Sequence, residues 1–189
     1  YAEKEKIVRQ NSAQPGDLIA VTGNLGGSQA GLLILLNPES DFPVGLREEA
    51  LAKHYRPLPR VKEGILFADT KIAHAMKDIS DGLAKEISTI ANSSRVRAVI
   101  DTASLPISPL AAEIGRILNH NPLEMALQGG EEYELLFTFA PHNYAILHEI
   151  ASKNQIDISI IGRIENGDGV FIEVDGRIEP LYFRGYQHF

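Results

Sequence analysis

Apolar residues recur along the chain with two different periods, and each change of period marks a boundary between elements. Residues 18–22 form an unbroken apolar and β-branched run, which predicts a strand. That run leads straight into the glycine-rich turn Gly23-Asn24-Leu25-Gly26-Gly27, and residues 28–36 then predict a helix ended by Asn37-Pro38. Residues 45–54 read as a charged amphipathic helix. Beyond Pro57 and Pro59, residues 61–68 read as a shorter one. Residues 73–79 predict a strand in spite of Lys77. Leu83, Ile87 and Ile90 then recur at the spacing of one buried helical face within 82–91.

The second half continues the alternation. Residues 96–100 predict a strand, and Pro106 and Ser108 announce a helix over 109–118. Residues 133–139 are aromatic and β-branched and predict a strand, followed by a helix over 143–152 and a strand over 158–164. The cluster Asn166-Gly167-Asp168-Gly169 opens a terminal hairpin, 170–174 and 177–181, turning at Asp175-Gly176. Alternating strands and helices give an α/β fold. The antiparallel hairpin argues against a purely parallel sheet and for a mixed one, with α+β character.

Size and charge narrow the function. At 189 residues the chain is one domain by the usual ~150-residue measure, with no repeat or linker to divide it. Its 18 basic against 25 acidic residues give a net charge of −7, with no basic stripe to engage nucleic acid and an acidity that disfavours anionic membranes. The absence of cysteine excludes thiol catalysis, CxxC zinc sites and disulfides. No apolar run approaches the ~18 residues of a membrane span, and no leader is visible, so the expected compartment is the cytoplasm. The chain starts at Tyr1 rather than methionine, as a processed, trimmed or partial sequence would.

Four places could carry chemistry. Asp78-Ile79-Ser80-Asp81-Gly82-Leu83 lies where a strand hands over to a helix, and two carboxylates there can converge on a hard cation such as magnesium. The adjoining helix N-terminus favours phosphate, although the same residues serve equally as helix and turn caps. Gln128-Gly129-Gly130-Glu131-Glu132-Tyr133-Glu134 puts acids at the end of a strand, either at a ligand edge or simply in water. The turn Gly23 to Gly31 can cradle an anion through backbone amides, or be ordinary tight packing. It lacks both the dinucleotide and the P-loop pattern. Arg9, ahead of Pro15-Gly16-Asp17, could clamp a phosphate or lie on the surface. The six histidines show no metal-ligand spacing and read as structural or exposed, and no GxSxG elbow is present.

Taken together, four segments resemble the thiamine-monophosphate kinase family. They are Arg9 with Pro15-Gly16-Asp17 and Val21-Thr22-Gly23-Asn24-Leu25-Gly26, the segment 78–83, Gly129-Gly130-Glu131-Glu132-Tyr133-Glu134-Leu135-Leu136-Phe137-Thr138, and the end Gly185-Tyr186-Gln187-His188-Phe189. That family is related to aminoimidazole ribonucleotide synthase, and the resemblance implies its carboxy-terminal domain, a mixed β-sheet covered by helices. The activity implied is transfer of the ATP γ-phosphoryl group to thiamine monophosphate, giving thiamine diphosphate. By the same resemblance Asp78 and Asp81 ligate Mg2+, Arg9 and Ser80 contact ATP, and Glu131 and Tyr186 touch thiamine monophosphate. No side chain is assigned as a covalent catalyst. The family pattern has Asp at Glu132, Trp at Tyr186 and Asp at Gln187. The resemblance also implies that residues 1–189 are one domain of a two-domain enzyme. Its amino-terminal domain, carrying further ATP and metal ligands, lies outside this chain. The full-length enzyme is expected to be a homodimer, and the isolated piece to be inactive.

Overall fold

A computed structural model describes residues 7–182. Seven strands, β1 (Leu18–Thr22), β2 (Ala73–Asp78), β3 (Arg97–Asp101), β4 (Leu135–Phe139), β5 (Ile158–Glu165), β6 (Gly169–Val174) and β7 (Arg177–Pro180), form one sheet in the order β2-β4-β1-β5-β3-β6-β7. Every neighbouring pair is antiparallel except β3 with β6. The sheet is therefore mixed, as expected. The turn 166–169 does not join paired strands, because β3 lies between β5 and β6. The expected hairpin is β6 and β7, with Asp175 and Gly176 both at positive φ in the two-residue turn.

Alternation along the strands sorts side chains to two faces. Ile19, Val21, Ala75, Ala98, Ile100, Leu136 and Ile161 meet Leu83, Ile87, Ile90 and Ala91 of α4 (Leu83–Ser94) on one face. Ala20, Phe137 and Phe139 face the other way, against Phe67 of α3 (Val61–Asp69) and Leu147 of α7 (Tyr144–Asn154). A separate helical core joins α1 (Gly27–Leu36), α2 (Val44–Tyr55), α5 (Pro109–Leu118) and α6 (Pro122–Gln128) through Leu33, Ile34, Ala50, Leu110, Ile114 and Met125.

Two expectations need correction. Helix α6 is absent from the sequence reading, although Asn121-Pro122 signals it. Asn121 Oδ1 accepts from the Leu123 amide at 3.0 Å, and the proline stands at the first helical position. Strand β4 begins at Leu135 rather than at Tyr133, whose φ of 53° is incompatible with a strand. No helix among the described residues is long and apolar enough to cross a membrane.

Candidate active site

The turn between β2 and α4 is built by buried groups on either side of it. The Ile79 amide donates to Glu134 O at 2.8 Å, which extends the β2–β4 pairing past the strand. Gly82 has φ of 100°, and a Cβ there would come within 2.8 Å of Gln128 O, so a side chain is barred both by conformation and by space. Glu86 is almost wholly buried within α4 and ties the turn down. Its Oε1 accepts from Ser80 Oγ at 3.3 Å and from the Asp81 amide at 3.2 Å, and its Oε2 lies 2.6 Å from Lys77 Nζ. The residue at the cap of α4 is Gly82, which has no side chain to offer. The Asp78 and Asp81 carboxylates are exposed. Asp81 pairs with Lys85 one helical turn on.

Loop 129–134 forms the adjoining wall. The Glu131 amide donates to Ser80 O at 2.8 Å and the Tyr133 amide to Ile79 O at 2.9 Å. Both residues are left-handed, at φ 63° and 53°, a conformation costing a non-glycine residue about 1 kcal/mol. Two backbone bonds to a buried turn hold them there. Tyr133 Oη donates to Glu131 Oε2 at 3.3 Å. The charge of Glu131, then burial, then the charges of Asp78 and Asp81 hold the Tyr133 phenol above its ordinary range. The charges of three carboxylates thus act on one hydroxyl. Among the described residues no third His, Cys, Asp or Glu joins Asp78 and Asp81 in a metal-holding group.

The other acids of this loop turn inward. Glu132 Oε1 accepts from the Gly26 and Ser28 amides at 2.9 and 3.0 Å. The amides at the turn preceding α1 are taken up by the protein's own carboxyl group. Burial lifts the Glu132 carboxyl to about 7, against the opposing pull of those two amides. Glu134 is buried, accepts from Thr22 Oγ1 at 2.6 Å, and receives Arg60 Nε and Nη2 at 2.7 and 2.8 Å. That forked hydrogen bond, more than the neighbouring charge, raises the Arg60 guanidinium. Lys77, Glu86 and Arg60 escaped the sequence reading as site residues, and Glu132 and Glu134, read there as a ligand edge or as solvated acids, turn inward instead. The one local signal was an acid at every second position ahead of a strand.

Ser80, Asp81 and Glu131 line one cavity of about 790 Å³, which runs between α1, α6 and the start of α4. His54 lines it too, so reading every histidine as structural or exposed missed a cavity wall. Arg9 is exposed and lies elsewhere. The next residue's carbonyl, Gln10 O, accepts from Ser93 and Ser94 Oγ at the far end of α4, about 15–17 Å along the helix from Leu83 at its start. Arg9 does not line the cavity that Ser80 lines. Tyr186 lies outside the described residues.

A family model described as AIR synthase related protein, C-terminal domain, matches residues 14–175. A thiamine-monophosphate kinase of Pyrococcus abyssi is 39% identical over 97% of this chain and 54% of its own length. An Escherichia coli thiamine-monophosphate kinase is 33% identical over 97% of the chain and 56% of its own length. The chain therefore spans about half the length of the curated relatives it matches. A crystal structure of thiamine-monophosphate kinase from Stenotrophomonas maltophilia superposes with a TM-score of 0.84, at 33% identity, covering 94% of this chain and 56% of that one. A structure of AaThiL complexed with AMPPCP and TMP gives 0.79 at 34% identity, covering 96% and 54%. A hydrogenase maturation protein of E. coli shares the fold, with a TM-score of 0.69 at 18% identity.

Proposed function

Because the chain belongs to the family of AIR synthase related proteins, as their C-terminal domain, we propose that it is the carboxy-terminal half of a thiamine-monophosphate kinase. The reaction moves the γ-phosphoryl group of ATP onto the phosphate of thiamine monophosphate. The acceptor oxygen already carries negative charge, so the protein need not supply a covalent nucleophile. Its work is to align two anions and neutralise them. The observation carrying this reading is the joining of two loops at one cavity. The Glu131 amide bonds Ser80 O at 2.8 Å, and Ser80, Asp81 and Glu131 line the same space.

Asp78 and Asp81 suit magnesium, which takes one or two carboxylates and leaves its other positions to water and phosphate. Both carboxylates are exposed, and their charges act on the same phenol, that of Tyr133. The ion, when bound, supplies charge neutralisation at the phosphates. Ser80 presents the turn to ATP and Glu131 faces thiamine monophosphate, with Tyr186 as a further substrate contact. Arg9, remote from Ser80 here, would meet ATP only at a surface completed by another part of the protein. The length of the relatives supports such a part, an amino-terminal domain. The full enzyme in this reading is a cytoplasmic homodimer, and the 189-residue piece alone is inactive.

The test uses the full-length protein. Asp81→Asn is expected to lower magnesium-dependent thiamine diphosphate formation at least ~100-fold, in the range for loss of a charge-stabilising group. Unchanged turnover would remove Asp81 from the metal site.

A further inference from the structure

Two imidazoles line the cavity, His54 and His120, and the mounting of His54 is one that the reaction described above does not use. Helices α1 and α2 touch at Gly31, where a Cβ would fall 2.3 Å from Ala50 O and 2.6 Å from His54 Cβ. Only glycine allows backbones that close, and the contact sets the last turn of α2 against the first turn of α1. Ser28 Oγ and His54 Nδ1 are there 3.1 Å apart. Ser28 is 2% exposed, and its amide is fixed by Glu132 Oε1 at 3.0 Å. His54 is thus anchored at its Cβ by helix packing and at one ring nitrogen by a buried hydroxyl. His54 lines the cavity, and with Nδ1 engaged by Ser28 its Nε2 is the ring nitrogen left for a ligand.

The neighbouring wall is apolar, formed by Leu32 and Leu33 of α1 with Met125 of α6. Ser80 and Asp81 line the same cavity at the turn before α4. A ligand with its phosphate at that turn would lay its rings along α1, with faces on the leucines and an edge toward the imidazole. We propose that His54 is a specificity residue that hydrogen-bonds through Nε2 to the aminopyrimidine edge of the substrate, an inference resting on the thiamine-phosphate reading above. An aminopyrimidine edge offers a ring nitrogen acceptor beside an amine donor, so it meets Nε2 whichever ring nitrogen carries the proton. An imidazole kept only to bond Ser28 would not discriminate between substrates with and without that ring.

The experiment compares, in the full-length enzyme, thiamine monophosphate with the thiazole monophosphate that lacks the pyrimidine. His54→Ala is expected to raise KM for thiamine monophosphate about tenfold, the scale of one lost hydrogen bond in a water-poor site. KM for ATP and for the thiazole phosphate is expected to stay within about twofold, and His54→Gln, which retains a hydrogen-bonding group, to recover part of the loss. If the alanine variant does not fold, His54→Gln carries the same comparison, with an intermediate, pyrimidine-dependent loss expected. No change in KM, or equal changes for both phosphates, would overturn the assignment. Failure of the unsubstituted enzyme to make thiamine diphosphate would overturn the kinase reading, and this inference with it.

Discussion

Loop 129–134 contains two kinds of residue in strict alternation, and they differ in what holds them. Glu132 and Glu134 point inward, where amides, a hydroxyl and a guanidinium meet their oxygens. Glu131 and Tyr133 point outward, share one 3.3 Å hydrogen bond, and sit in left-handed backbone. Residue type does not separate the groups, since three of the four are glutamates. Backbone pairing to Ile79 and Ser80 separates them, by deciding which side chains the fold consumes and which it leaves facing outward.

Removing the most deeply paired member should cost most. Glu134→Ala leaves the Arg60 fork and the Thr22 hydroxyl unmatched against the sheet, and a loss of ~3 kcal/mol in denaturant unfolding is expected. A loss below ~1 kcal/mol would show that the inward acids matter little to the fold.

Glu132 should be the next largest effect, and it depends on pH. Its carboxyl titrates near 4.5 when unfolded and near 7 when folded, so between those values the folded state binds the extra proton. Its contribution to stability therefore falls as pH rises from 4.5 to about 7, and is flat above. Glu132→Gln keeps an oxygen for the Gly26 and Ser28 amides and should remove that slope. Melting curves at pH 5 and pH 8 would then differ by several degrees less in the variant than in the parent, in the range of ~1–2 kcal/mol. Equal slopes would show that Glu132 does not titrate there.

Smaller effects are expected from the outward pair. Glu131→Gly relieves a left-handed glutamate and should leave stability unchanged or raise it by up to ~1 kcal/mol, while weakening thiamine monophosphate binding in the full-length enzyme. Clear destabilisation would mean that Glu131 belongs with the inward group. Tyr133→Phe removes one exposed hydrogen bond and should cost only a few tenths of a kcal/mol, read from the same unfolding curves. A loss above ~1 kcal/mol would mean that the phenol is structural.

The parts of the fold legible in the sequence are those whose causes are local. Strand β1 is an uninterrupted apolar run, α5 carries its own proline and Ser108 cap, and the β6–β7 turn announces itself as Asp175-Gly176. The order of the strands was not legible, because β1 is matched to Phe139 and Arg163 by packing rather than by any turn between them. The site divided in the same way. The Asp78 to Gly82 turn and the Gly129-Gly130 loop stand out by composition. That Glu86 ties down the first, or that Gly31 brings His54 to the cavity, depends on helices meeting in space.

The position of β1 also bears on how the chain acquires its structure. Both of its partners, β4 and β5, are synthesised long after it, so the central ladder cannot close until most of the domain exists. Contacts so distant along the chain slow folding, and meanwhile they leave an apolar strand without partners. On the ribosome, Leu18 to Thr22 would wait for Ile158 to Glu165 to emerge. An interruption of synthesis before β5 would release a product exposing this segment, with the aggregation hazard of any unpaired apolar strand.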